Sequence, residues 1–259
     1  MVKKSEIMIV AEPSIGMRSK PSIALPLETE CLFGEQVETL DHYLEWTFCK
    51  LFSDNYQGWV KSESLCNFKT ITHRVLSKRT FVLERKSEKS NSIIYLPLGS
   101  KLSVKQMENN WAEIFLPSKY PYKTGFVPIK HISNINNITK DWVFISESLL
   151  ETPYKWGGRD TLGIDCSALL QISYETFGQK IPRNTTDQVN IDKEIINDVK
   201  KLDRGSVVFW EGHVGIMVDK LNCIHANAYH MKTIIEPLKE IIFRMGEKNP
   251  IIKMMDFNK

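Results

Sequence analysis

The pattern of hydrophobic and polar positions changes shortly after the middle of the chain. The first part consists of short β-like runs separated by turn residues, and it predicts small all-β modules because it lacks helical periodicity. After it, Trp142, Ile145 and Leu149 stand at helical spacing. Thr139 is the predicted N-cap of this helix, and Pro153 is its predicted end.

A second helix and several strands are predicted in the C-terminal part. The helix is expected from about Ser167 to Phe177, with Gly178 as a left-handed cap. Three later runs are typical of strands, namely Ser206 to Trp210, Val214 to Val218 and Cys223 to Ala228. The tail, residues 251–257, is apolar enough to pack on the resulting sheet, although a partner surface has the same character. This part of the chain is therefore predicted to be α+β.

Two segments of the all-β part repeat one another loosely. Each has a glycine turn into a strand, a strand led by tryptophan, and a glycine-aromatic-valine strand that ends in a short apolar stop. The copies are Leu32 to Val37, Trp46 to Leu51, Gly58-Trp59-Val60 and Leu65, then Leu98 to Val104, Trp111 to Leu116, Gly125-Phe126-Val127 and Ile132. This order resembles that of bacterial SH3 modules. With the Asn-rich stretch 133–138 as a linker, we expect domains at residues 1–70, 71–137 and 138–259.

The composition is that of an ordinary globular protein. Of the 259 residues, 42% are hydrophobic and 25% are charged, which excludes disorder. The net charge of +3 is too small to indicate a nucleic-acid partner, and the basic runs Lys3-Lys4 and Lys200-Lys201 are short enough to be solvated surface. No apolar run approaches the length of a membrane span, so no membrane partner is expected.

The cysteines and the N-terminus indicate a location. Five cysteines make an odd count without a CxxC pair, which favours a reducing compartment over a disulfide framework. Cys31, Cys49 and Cys66 are expected to be buried packing residues. The apolar stretch Ile7 to Val10 is interrupted by Glu12 and Pro13 before it reaches the length of the apolar h-region of a signal peptide. A cytoplasmic protein is therefore expected, and the removal of an export leader stays open.

Three residues of the C-terminal domain together carry the chemistry of a cysteine hydrolase. Cys166 stands where a loop meets the second helix, and the positive end of the helix dipole favours its thiolate, the attacking species. His213 opens a strand and leaves its core face together with Gly215, which is expected to leave open space. His225 leaves the apolar face of a later strand and can fix the tautomer of His213. The residues thus provide a nucleophile, a base and an orienting group.

Two alternatives without catalysis remain at these positions. A cysteine at a helix start and a histidine on a strand also serve as packing residues. Cys166, His213, Cys223 and His225 are donor types of a zinc site, although nothing places all four together and paired ligand spacing is absent. We therefore expect no metal and no organic cofactor.

Five short motifs surround the three residues. They are Pro153-Tyr154-Lys155-Trp156-Gly157-Gly158, Asp165-Cys166-Ser167, Ile181-Pro182-Arg183, Gly212-His213-Val214-Gly215-Ile216 and Ile224-His225-Ala226. Together they resemble the NlpC/P60 family of cell-wall cysteine peptidases. The resemblance implies a papain-like fold, with Cys166 as nucleophile, His213 as general base and His225 as the third polar residue. The family commonly has glycine after Asp-Cys-Ser, where this chain has Ala168, a good helix former that we expect to be tolerated.

Two SH3-like modules before such a domain resemble the γ-D-glutamyl-L-diamino acid endopeptidases of the dipeptidyl-peptidase VI type. The resemblance implies hydrolysis of the γ-D-glutamyl-diamino acid bond in murein peptides that carry a free N-terminal L-alanine, for cell-wall peptide recycling. The implied substrate contacts are Tyr56 of the first module together with Asp165, Ser167 and Thr185. An acidic residue of the first module is expected to join them, with three unranked candidates, Glu28, Glu30 and Glu35.

Other functions stay open at this point. SH3-like modules could bind peptide or cell wall beside an inactive last domain, although the intact Cys166, His213 and His225 argue against this. The same fold also supports amidases and acyltransferases. The sequence does not distinguish diaminopimelate from lysine in the substrate, and it does not indicate an oligomeric state.

Overall fold

The computed structural model describes residues 5–67 and 69–258, which form two compact units. The first unit consists of Met1–Ile138 with Arg159–Thr161, and the second consists of Thr139–Gly158 with Leu162–Lys259. The basic pair Lys3-Lys4 lies outside the described residues. The division of the first unit into two domains at residue 70 stays a prediction.

The described residues of the first unit contain strands and short 3-10 turns but no α-helix, in agreement with the missing helical periodicity. The 3-10 turns are Ser62–Ser64 and Ile129–His131. In chain order, the strands are β1 (Ile7–Val10), β2 (Ser14–Met17), β3 (Thr29–Leu32), β4 (Gln36–Tyr43), β5 (Trp46–Leu51), β6 (Gln57–Lys61), β7 (Leu65–Asn67), β8 (His73–Val75), β9 (Arg79–Leu83), β10 (Ser92–Pro97), β11 (Lys101–Leu102), β12 (Val104–Glu108), β13 (Trp111–Phe115), β14 (Thr124–Pro128), β15 (Ile132–Asn134) and β16 (Arg159–Asp160).

Two five-stranded antiparallel sheets dominate this unit, with the orders β6-β5-β4-β1-β7 and β10-β9-β14-β13-β12. Smaller sheets are formed by β2-β3 and by β11-β8-β15. The predicted repeat is confirmed, because the meanders β4-β5-β6 and β12-β13-β14 each lead through a 3-10 turn into a short strand, β7 or β15. Each meander covers an apolar core of its own, one around Val37 and Leu51 and the other around Ala112 and Ile114.

The described part of the second unit contains both helices and strands. A 3-10 turn lies at Val199–Lys201. The other elements are α1 (Trp142–Glu147), β17 (Gly163–Ile164), α2 (Cys166–Glu175), α3 (Thr185–Gln188), β18 (Glu194–Ile195), β19 (Ser206–Trp210), β20 (His213–Met217), β21 (Asn222–Asn227), β22 (Lys232–Pro237), α4 (Leu238–Met245) and β23 (Lys253–Asp256).

A six-stranded sheet with the order β18-β23-β19-β20-β21-β22 forms the body of the second unit. Helix α2 packs against β20 and β21 in the middle of this sheet. The apolar tail joins the sheet as β23, which pairs antiparallel with β19. The second unit is therefore α+β, as the sequence predicts, and the helix that begins at Cys166 packs on two adjacent interior strands of the sheet.

The first helix differs in detail from the prediction. Trp142, Ile145 and Leu149 are buried, as their spacing predicts. The N-cap is Asp141, whose carboxylate accepts a hydrogen bond from the Phe144 amide at 3.2 Å, and the predicted cap Thr139 is wrong. The Thr139 hydroxyl instead donates to Thr176 at 2.7 Å, so a contact distant in sequence removes it from the helix start.

The ends of the first two helices show the limits of turn signals. Helix α1 ends at Glu147, well before the predicted stop at Pro153. Gly178 adopts the predicted left-handed φ of 79°, but α2 ends at Glu175 with Thr176 as its C-cap, so Gly178 lies two residues beyond the cap. The sequence interpretation contained no counterpart of β22 and α4. Helix α4 buries Leu238 and Ile241, whereas Phe243 is 85% exposed.

A buried ion pair ties Arg159 into the first unit. The Arg159 side chain is 1% exposed, and its guanidinium donates to both carboxylate oxygens of Glu35, at 2.8 and 2.9 Å. The carboxylate of Glu30 accepts hydrogen bonds from the backbone amides of Arg159 and Asp160, at 2.8 and 3.1 Å. Both glutamates are almost completely buried, so these donors replace their water.

We predict that Arg159→Met destabilises the first unit by about 3–5 kcal/mol, because it leaves the Glu35 carboxylate buried without its cation. Lys61→Met is the matched control, since the Lys61–Glu45 pair lies at the surface and its loss is expected to cost much less. Urea unfolding followed by hydrogen exchange in β3 and β4 measures both changes. Equal losses for the two variants would contradict a structural role of the buried pair.

Candidate active site

The nucleophile candidate Cys166 is the first residue of α2 and is 7% exposed. Asp165 is the N-cap of this helix, and its carboxylate accepts a hydrogen bond from the Ala168 amide at 2.8 Å. The backbone amides of Val214 and Ser167 lie close enough to the Cys166 sulfur to lower the pKa of its thiol. Helix α2, which begins at Cys166, packs against β20, and β20 begins at His213.

Burial determines the protonation state of this thiol. It raises the pKa of Cys166 to about 12, and the negative charge of Asp165 adds to the effect. The amides of Val214 and Ser167 and the cation of Arg183 act in the opposite direction but do not compensate. The Ser167 amide at the helix start lowers the pKa of Cys166, in the expected direction, but desolvation of the charged sulfur is the larger effect and the net shift is upward.

The base candidate His213 begins β20, and its ring contacts that of His225 on β21. His213 Nε2 and His225 Nδ1 are 2.8 Å apart, so the two rings share a hydrogen bond. Burial, followed by the nearby His225 and Arg244, lowers the pKa of His213 to about 3. At neutral pH, both Cys166 and His213 are therefore uncharged, and proton transfer between them must accompany attack on a substrate.

His225 is 1% exposed and has a further partner that the sequence interpretation missed. Its Nε2 lies 2.7 Å from the Oε1 atom of Glu236 on β22. Glu236 in turn accepts hydrogen bonds from the guanidinium of Arg244 on α4. A hairpin prediction that paired β21 with β22 would have brought Glu236 close to His225, but the apolar pattern of β22 is too weak to reveal this strand.

The structure also corrects the surroundings of the two histidines. The sequence predicts open space beside His213 at Gly215, but a Cβ atom at this position would lie 2.4 Å from the Cys223 sulfur. It would also lie 3.7 Å from the His225 Cβ. Both faces of β20 are covered, so Gly215 is needed for the close approach of β20 and β21.

The carboxylate of Asp165 receives donors from several segments. Arg183 donates to both oxygens, at 3.0 and 2.6 Å, and the Gly157 amide donates to Oδ2 at 3.0 Å. The Ser167 hydroxyl donates to Oδ1 at 3.1 Å and accepts from Arg183 at 2.6 Å. Asp165 and Ser167 therefore position the start of α2, and their predicted contact with a substrate stays a prediction.

The sequence predicts no role for Arg183 or Gln188, although Arg183 belongs to one of the five motifs. The Gln188 side-chain amide donates to the backbone carbonyls of Ser167 and Pro182, at 3.0 and 2.9 Å. Thr185 is the first residue of α3 and is partly exposed. These contacts fix the loop of residues 181–188 on the start of α2, and the substrate contact of Thr185 stays a prediction.

The first unit carries the remaining candidates. The Tyr56 hydroxyl donates to Glu28 Oε2 at 3.3 Å, and both side chains are partly exposed. The carboxylates of Glu30 and Glu35 are buried around Arg159. Among the three acidic candidates, Glu28 is therefore the one with exposed surface beside Tyr56.

The cysteines outside the candidate site differ from one another. Cys31 and Cys49 are completely buried, as predicted, whereas Cys66 is only partly buried and that prediction is wrong. The edge position of β7 explains this exposure. Within residues 5–67 and 69–258, no three His, Cys, Asp or Glu side chains form a group that could hold a metal ion. No helix in the same ranges has the length and apolarity required to cross a membrane.

Two family models match the chain. The NlpC/P60 family matches residues 151–245, and the bacterial dipeptidyl-peptidase SH3 domain matches residues 17–65. These matches confirm the resemblance that the motifs predict. The first covers the segment from the loop before Cys166 to the end of α4, so it contains both histidines and Glu236.

Relatives and solved structures agree with these matches. The chain is 25% identical over 84% of its length to the gamma-D-glutamyl-L-lysine dipeptidyl-peptidase of Bacillus subtilis, covering 78% of that protein. It is also 25% identical over 85% of its length to dipeptidyl-peptidase 6 of Lysinibacillus sphaericus, covering 87% of that protein. The crystal structure of an NlpC/P60 family protein from Bacillus cereus matches 98% of this chain and 100% of that chain, with a TM-score of 0.83 at 16% identity. That structural likeness establishes the fold.

The raised pKa of Cys166 leads to a prediction about its alkylation. In a Cys66→Ser background, we expect the reaction of Cys166 with iodoacetamide to accelerate about tenfold per pH unit between about pH 7 and pH 9, because the thiolate fraction rises in that proportion below the pKa. Mass mapping of the labelled peptides at each pH gives the rate. A rate that is already at a plateau at neutral pH would contradict a buried neutral thiol.

Proposed function

We propose that this chain, an NlpC/P60 family peptidase that carries a bacterial dipeptidyl-peptidase SH3 domain, is a cysteine peptidase specific for the γ-D-glutamyl-diamino acid bond of murein peptides with a free N-terminal L-alanine. The observation that carries the proposal is the buried Cys166 at the start of α2, which packs on β20, the strand that begins at His213. The ring of His213 in turn shares a hydrogen bond with His225. The names of the two dipeptidyl-peptidase relatives support the choice of this bond.

The first chemical step requires a proton transfer, because the thiol and the imidazole are both neutral. His213 takes the proton of the Cys166 thiol while the sulfur attacks the γ-carbonyl carbon of the D-glutamyl residue. A C–S bond forms and the carbonyl π electrons move to its oxygen. The His213 imidazolium formed in this step keeps its hydrogen bond to His225.

The second step releases the diamino acid. His213 returns its proton to the departing amine as the C–N bond breaks, which leaves a thioester between Cys166 and the L-alanyl-D-glutamyl group. A water molecule, deprotonated by His213, then attacks the thioester carbonyl. The products are the dipeptide and the regenerated thiol, so each proton taken by His213 is returned within the cycle.

The free amine of the substrate requires acceptors, because an α-ammonium group is largely charged at neutral pH. The partly exposed pair of Glu28 and Tyr56 offers a carboxylate and a hydroxyl for this purpose. Ser167 and Thr185 remain the hydroxyl candidates of the second unit for binding the ammonium group. Asp165 is its carboxylate candidate. The proposal places the recycling of wall peptides in the cytoplasm, with either lysine or diaminopimelate as the diamino acid.

Hydrolysis of two synthetic tripeptides tests the proposed function. We expect L-Ala-γ-D-Glu-L-Lys or its diaminopimelate counterpart to yield L-Ala-D-Glu and the free diamino acid, and Cys166→Ala to lower the rate by at least about 10³-fold. Cys66→Ser is the matched control and keeps the wild-type rate, because Cys66 lies in the first unit on β7. Product masses that show transfer to an added amine, or binding without turnover, would contradict the proposal.

The amine requirement leads to a separate prediction. Acetylation of the substrate amine removes its charge, and we expect kcat/KM to fall by at least about tenfold because acceptors are left unpaired. Glu28→Gln is expected to lower kcat/KM for the free-amine peptide by about tenfold and to change that for the acetylated peptide much less. The exposed Glu63 supplies the control variant Glu63→Gln. Equal losses for both peptides in Glu28→Gln would show that this carboxylate does not bind the amine.

A further inference from the structure

We propose that Glu236 and Arg244 form a positioning ion pair that sets the tautomers of His225 and His213 and thereby leaves the Nδ1 atom of His213 free to accept the Cys166 proton. The inference rests on the proposed cysteine-peptidase function. It adds two residues that do not touch the reacting atoms and that act through the histidines.

The first step concerns the proton of His225. Its Nε2 lies 2.7 Å from Oε1 of Glu236, and an ionised carboxylate can only accept a hydrogen bond. His225 Nε2 therefore carries a proton. The Asn227 amide nitrogen also lies 3.1 Å from this atom, but a lone pair on Nε2 would then face the carboxylate at 2.7 Å. Charge repulsion disfavours that arrangement.

The second step carries the constraint to His213. A neutral His225 with its proton on Nε2 has an unprotonated Nδ1, which can only accept. His213 Nε2 lies 2.8 Å from this atom and must therefore be the donor. A neutral His213 protonated on Nε2 has its lone pair on Nδ1. The chain from Glu236 thus fixes which nitrogen of the base is available for a proton.

The third step explains why an arginine accompanies the glutamate. Burial would raise the pKa of Glu236, but hydrogen bonds from Arg244 and His225 hold it below its ordinary value, so the carboxylate stays ionised. Arg244 donates to both carboxylate oxygens, in one case at 3.1 Å. Arg244 therefore keeps the acceptor charged and oriented.

Arg244 also affects the charge of His225. The ionisable groups around His225 are His213 on β20, Glu236 on β22, Arg244 on α4 and His230 in the turn before β22. Burial lowers the pKa of His225, Glu236 opposes this, and the charges of Arg244 and His230 lower it further. A second proton on His225 would sit on Nδ1, facing His213 Nε2, and would reverse the hydrogen bond between the rings. Arg244 thus helps to keep His225 neutral.

Substitutions at the two positions give opposite expectations for the pH profile. Glu236→Gln keeps an acceptor oxygen but removes the charge, so the acid limb of kcat/KM moves to lower pH. Arg244→Gln leaves the Glu236 charge unopposed, so His225 protonates more readily and the acid limb moves to higher pH. Arg244→Lys keeps the cation and the wild-type profile. Lys232→Gln is the control. Lys232 lies on the same strand as Glu236, and the substitution removes only its surface pair with Glu151.

The rate itself separates positioning from packing. We expect Glu236→Leu to lower kcat by at least about 10²-fold with little change in KM, because the base then holds its proton on the wrong nitrogen. Glu236→Gln restores the rate to within about tenfold of wild type. Thermal melting shows whether the leucine variant folds; the two glutamine variants test the proposal in either case.

Nitrogen-15 NMR of the histidine rings gives a readout that does not depend on a substrate. We expect protons on Nε2 of both His225 and His213 in the wild-type chain near neutral pH. A proton on Nδ1 of His225, or unchanged acid limbs in both glutamine variants, would overturn the proposal. If the wild-type chain cleaves no tripeptide, the proposed function fails while the NMR result still decides the tautomers.

Discussion

The carboxylate of Asp165 is the group on which the active site depends, because an ionised carboxylate leaves water only when protein donors replace its hydration. Five donors do so here, two from Arg183 and one each from Gly157, Ser167 and Ala168. They come from the loop before Cys166, from the first turn of α2 and from the loop after that helix. The buried carboxylate therefore holds together the segments that surround the thiol. Cys166 is positioned because it directly follows Asp165 in the chain.

The same arrangement occurs at two other positions in the chain. Glu35 is paired with Arg159 inside the first unit, and Glu236 is paired with Arg244 at the edge of the sheet in the second. In each case a planar guanidinium contacts both oxygens of the carboxylate, which fixes the orientation as well as the charge. At Glu236 this orientation matters for chemistry, because one carboxylate oxygen accepts the proton of His225.

Desolvation has opposite effects on the two reacting groups. It raises the pKa of Cys166 and lowers that of His213, so both are neutral before substrate binds. A neutral pair stores no charge in the buried site, and charge develops only during attack, when the hydrogen bond to His225 can stabilise the imidazolium. The direction of that hydrogen bond then decides whether the base has a free nitrogen.

The sequence by itself determined the all-β first part with its repeat, the helix that begins at Cys166 and the strands that carry His213 and His225, because periodicity and turn residues report local backbone preference. Only the tertiary structure decided that burial raises the pKa of the thiol and that Glu236 and Arg244 extend the histidine pair. It also decided that the carboxylates of Glu30 and Glu35 accept hydrogen bonds from Arg159. These properties depend on burial and on partners distant in sequence, and a local pattern contains no information on which charges lose water together.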